Sequence, residues 1–66
     1  MEITKEDFIV YEKVRQTGLT NMFNRDNVIM IAEEMFEHTF TKDKVTEIMK
    51  EYSNLMKKYP DVRNNV

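Results

Sequence analysis

The chain has no cysteine and no tryptophan, and only one glycine, one proline and one histidine among 66 residues. Without cysteine there is no disulfide framework, and His38 alone cannot build a Cys/His zinc site. The shortage of glycine and proline argues against a β protein, whose short strands need frequent turn residues. No apolar run approaches the roughly 20 residues of a membrane-spanning helix. Residues Met1 to Asp7 put acids where a signal peptide carries basic and apolar regions, so a cytoplasmic protein is expected. A basic excess is also missing. Ten Lys and Arg face 12 Asp and Glu, for a net charge of −2, whereas phosphate neutralisation drives most nucleic-acid binding.

What is present points to one small helical domain. Hydrophobic residues make up 41% of the chain and charged residues 33%, too apolar and too nearly neutral for a disordered tail. A chain this short buries only about 60% of its unfolded surface, so a monomer is marginally stable.

The apolar spacing predicts three helices, over about 5–17, 25–37 and 42–59. In the first, Thr4 is the N-cap and Asp7 completes a capping box. Ile3 and Phe8 form a hydrophobic staple across the helix entry. Phe8, Val10, Tyr11 and Val14 gather on one side, and Gly18 supplies a left-handed stop. Leu19 beyond it is placed to pack back on Val14. The connector 19–24 holds Thr20 and Asn21, which favour a turn, and Met22 and Phe23, which are expected to tuck inwards. Asn24 caps the second helix, where Val28, Ile31, Ala32, Met35 and Phe36 form the apolar stripe and Ile29 widens it. Phe40, Thr41 and Val45 repeat the staple and cap before the third helix. Its stripe of Val45, Ile48, Met49, Tyr52, Leu55, Met56 and Tyr59 runs for five turns, until Pro60 stops it. The expected architecture is an all-α three-helix bundle with a long C-terminal helix. Residues 1–60 form the domain and 61–66 a frayed tail.

Phe8, Tyr11, Val14, Arg15, Gly18, Thr20, Asn21, Met22 and Phe23 also read as one string, F-x-x-Y-x-x-V-R-x-x-G-x-T-N-M-F. That string resembles a family of very short bacteriophage and prophage proteins of Gram-positive hosts. Ile48, Met49 and Tyr52, in I-M-x-x-Y, look like the second half of the same pattern. The resemblance implies a phage-type protein working in the cytoplasm of a bacterial host. It assigns no catalytic or binding residues. A shorter Ser-Gly-type turn often precedes the last helix in that family. Glu33 to Phe40 fill this region here, so a helix-turn-helix does not follow from the resemblance.

Candidate sites sort by chemistry. His38 has no cysteine partner for nucleophilic catalysis, and it suits the negative end of the second helix. Glu33, Glu34 and Glu37 sit on one helix, where a solvated face is expected; a metal site needs oxygens from more than one segment. No enzyme activity, cofactor or metal is therefore expected. Lys42, Thr46, Lys50 and Lys57 line one side of the third helix and would contact phosphates if the chain bound DNA in the manner of a helix-turn-helix. Residues 39–66 carry a net +2, against −3 for residues 24–38. Neighbouring acids weaken that stripe, and no Arg, Asn or Gln on it reads base edges. The stronger signal is apolar surface beyond the needs of one core. Ile9 and Met30 fall among charged residues, and the end of the third helix at Leu55, Met56 and Tyr59 outruns a shorter second helix. These five residues are the expected interaction surface, for a homodimer or for a host or phage protein.

Overall fold

In the computed structural model, residues 2–18 and 24–62 are described. They form four helices and no strand: α1 (Lys5–Thr17), α2 (Arg25–Phe36), α3 (Lys42–Lys50) and α4 (Tyr52–Lys58). The all-α class stands, but the three-helix bundle does not. The predicted third helix breaks at Glu51, whose backbone leaves the helical region at φ −100° and ψ 14°. Hydrogen bonds continue on either side, from the Glu51 N–H to the Glu47 carbonyl at 2.9 Å and from the Leu55 N–H to the Glu51 carbonyl at 2.8 Å. Beyond the break, Leu55 is buried in the core and Tyr52, Met56 and Tyr59 pack against it.

The helix starts follow from local chemistry. Thr4 Oγ1 accepts from the Asp7 N–H, and Asp7 Oδ2 accepts from the Thr4 N–H, both at 3.1 Å, closing the capping box. Asn24 accepts from the Asn27 N–H and Thr41 from the Lys44 N–H. The residues of both expected staples, Ile3 with Phe8 and Phe40 with Val45, are all buried. Gly18 ends α1 at φ 66°. At the end of α2 a non-glycine residue takes the same conformation: Glu37 has φ 52°, so the helix stops one residue earlier than expected. The expected positions of Leu19, Met22 and Phe23 lie outside the described residues.

Phe8, Val14, Val28, Val45 and Ile48 are fully buried and join all three longer helices in one core. Val62 joins them at 0% exposure, and Lys5 Nζ meets Asp61 Oδ2 at 3.0 Å. The chain beyond Pro60, expected to fray from Asp61, is thus tied back to the start of α1 as far as Val62. Arg63 to Val66 lie outside the described residues.

Candidate functional site

Two acids of α1 are buried, and both are held by the other elements. Asp7 is 3% exposed and Glu12 is 0% exposed. Besides its capping role, Asp7 Oδ1 lies 2.7 Å from His38 Nε2 and Oδ2 lies 3.1 Å from Lys44 Nζ. An ionised carboxylate only accepts, so Nε2 is assigned as the donor. One carboxylate therefore ties α1 to the α2–α3 connection and to α3. Burial pushes the Asp7 carboxyl up, but bonds from His38, Thr4 and Lys44 together outweigh it and hold it below the usual range. The His38 ring also stacks edge-on with Phe40, with centroids 4.9 Å apart.

Glu12 links α1 to α4. Its Oε1 accepts from the Tyr52 hydroxyl and its Oε2 from Arg15 Nε, both at 2.6 Å. The Tyr52 ring packs edge-on to Phe8 at 5.6 Å and tilted against Tyr11 at 6.2 Å. Bonding to Glu12 strengthens the hold of Arg15 on its proton. Burial, followed by the neighbouring Tyr52 and Glu12, pushes the Tyr11 hydroxyl up. Both buried acids are thus engaged in joining helices. No buried side-chain polar atom lacks a hydrogen-bond partner among the described residues. No group of three or more His, Cys, Asp or Glu is placed to hold a metal among them.

The residues expected at an interaction surface separate. Met30 is on the surface at 48% exposure. Ile9, Met56 and Tyr59 are half-buried against the core. Leu55 belongs to the core at 6% exposure, so the open apolar end expected around it does not form. The sequence reading missed Met35, which is 52% exposed although its spacing puts it on the buried stripe of α2. Met30 and Met35 are the exposed large apolar residues among those described. They are five residues apart, about 140° around the helix, with buried Ile31 and exposed Glu34 between them.

The basic stripe is partly occupied. Lys42 Nζ meets Asp26 Oδ1 at 3.3 Å. Thr46 accepts from Arg25 Nη1 at 2.8 Å and donates to the Lys42 carbonyl. Lys50 and Lys57 are exposed, but on different helices, either side of the break at Glu51. No helix among the described residues is long and apolar enough to cross a membrane. Comparison of the chain with protein-family models, curated proteins and solved structures gives no match.

Proposed function

We propose that this chain is a small non-enzymatic accessory protein of the phage type. It works in the cytoplasm of a bacterial host by protein–protein contact, either with a second copy or with a host or phage protein. The observation that carries this reading is the exposed face of α2. Met30 lies there among Glu33, Glu34 and Glu37, all exposed, and Met35 is exposed toward the apolar stripe of the same helix. No ion pair engages these three glutamates among the described residues. Single exposed apolar residues are ordinary. Two exposed methionines on one helix offer flexible, polarizable side chains suited to adaptable contacts. The non-enzymatic reading draws support from Asp7 and Glu12, whose carboxylates are engaged in holding helices together. The phage assignment draws on the sequence resemblance alone.

The test pairs two measurements on the intact chain and on a Met30→Glu/Met35→Glu variant. Light scattering at two concentrations reports self-association, and affinity capture from a bacterial host lysate reports other partners. The variant keeps the wild-type helical content but loses the association or the captured protein. A wild-type monomer at both concentrations, with identical captured proteins for both chains, would sink the proposal.

A further inference from the structure

A cleft of about 250 Å³ opens beside the junction of α3 and α4. Its floor is apolar, formed by Ile3 and Leu55, which are 7% and 6% exposed. Its walls carry Glu2, Glu47 and Glu51, against the single ammonium of Lys58. None of the three glutamates makes an ion pair among the described residues. Glu51 Oε2 accepts from Asn54 Nδ2 at 2.9 Å. Lys58 directs its Nζ over the Tyr59 ring, 5.4 Å from the centroid. Pockets for drug-sized ligands occupy roughly 300–1,000 Å³, so this cleft is small for a cofactor. One side chain is a better match to its size.

We propose that the cleft receives an arginine side chain from a basic segment of a partner protein. The aliphatic stem lies on Ile3 and Leu55, and the guanidinium meets Glu47 and Glu51. Glu47 lies in the last turn of α3 and Glu51 is its C-cap, at the end of the helix whose dipole disfavours acids. A guanidinium between them supplies the counter-charge. Arginine fits better than lysine, because its planar fork spans two carboxylates and it is more weakly hydrated. This inference rests on the protein–protein reading and adds the chemistry of the partner. It uses a different face from that of Met30 and Met35.

The probe is N-acetyl-arginine methylamide, titrated into the isotopically labelled chain and followed by amide chemical shifts. N-acetyl-citrulline methylamide, uncharged and nearly isosteric, is the control. Saturable shifts at Ile3, Asn54 and Leu55 are expected with arginine and not with citrulline. A Glu47→Gln/Glu51→Gln variant should bind about tenfold more weakly, the loss expected of two partly exposed charge pairs. Equal responses to the two probes on the wild-type chain overturn the proposal whether or not the variant folds. An association that depends on Met30 and Met35 and persists while arginine fails to bind overturns this inference alone.

Discussion

Glu12 and Tyr52 offer the sharpest test of how this small domain holds together. Tyr52→Phe removes one hydroxyl and keeps the ring that packs on Phe8 and Tyr11. The Glu12 carboxylate, 0% exposed, then has one donor fewer. A hydrogen bond to a charged group contributes about 1.5–3 kcal/mol, so a cost of about 2 kcal/mol is expected. Against a total stability of about 3–10 kcal/mol for a chain this long, that is a large share. The melting midpoint should fall by about 8–16 °C. Glu12→Gln keeps the shape: its carbonyl oxygen faces Arg15 Nε, and its amide nitrogen donates to the Tyr52 hydroxyl. Only the charge assistance is lost, at about 1–2 kcal/mol. With Gln in place, removing the hydroxyl costs a neutral bond, about 1 kcal/mol. The double-mutant cycle should therefore close with about 1 kcal/mol of coupling, above the ~0.3–0.5 kcal/mol scatter of independent sites. Urea and thermal denaturation of the four proteins, followed by far-ultraviolet circular dichroism, measure it. Additive single changes, or a Tyr52→Phe variant that melts with the wild type, would refute the linkage between α1 and α4.

Three further outcomes follow from local geometry. Gly18→Ala should destabilise by about 1 kcal/mol through the positive φ alone; an added Cβ meets nothing within 4 Å, and an unchanged urea midpoint would contradict the assignment. Glu37→Gly should act with the opposite sign, since Glu37 holds φ 52° without being glycine; a gain of about 0.5 kcal/mol is expected after the entropy of a freer unfolded chain is subtracted. The Asp7 carboxyl is held below its usual range, so its contribution is fully present above the ordinary aspartate value of about 3.9 and is lost as pH falls through the lower folded value. Urea midpoints should therefore fall on acidification below about pH 4, and an Asp7→Asn variant should show a shallower slope; parallel profiles would contradict this role.

Helix starts were legible because they are local. Thr4, Asn24 and Thr41 each cap through an amide three residues ahead, within reach of any short sequence window. The long-range ties were not. Asp7 reads as a capping-box acid, and nothing in its neighbours announces His38, 31 residues away. Nothing in the neighbours of Glu12 announces that it is fully buried and bonded to Tyr52, 40 residues away. Met35 errs the other way. Periodicity puts it on the buried stripe of α2, but that spacing only orients a side chain, and nothing covers it to more than about half. The expected interaction surface failed at Leu55 for the same reason, since burial depends on neighbours that spacing does not reveal.

The break at Glu51 is the clearest case of tertiary structure overriding local preference. No glycine or proline lies between Lys42 and Tyr59, and the apolar stripe continues in register across the gap. The first residue of α4 is Tyr52, which carries two ring contacts and a hydrogen bond to α1. Docking this side chain outweighs the helical bonds given up at the junction, on this account. A Tyr52→Leu variant keeps an apolar side chain there but lacks the ring. Its Glu51 carbon shifts should move toward helical values, and the amides around residue 51 should gain protection from hydrogen exchange. Tyr52→Phe, which keeps the ring, should keep the break. Glu51 shifts that stay non-helical in the Leu variant would contradict the account. They would move the cause to the other tether on this segment, Val62, buried in the core just beyond Pro60.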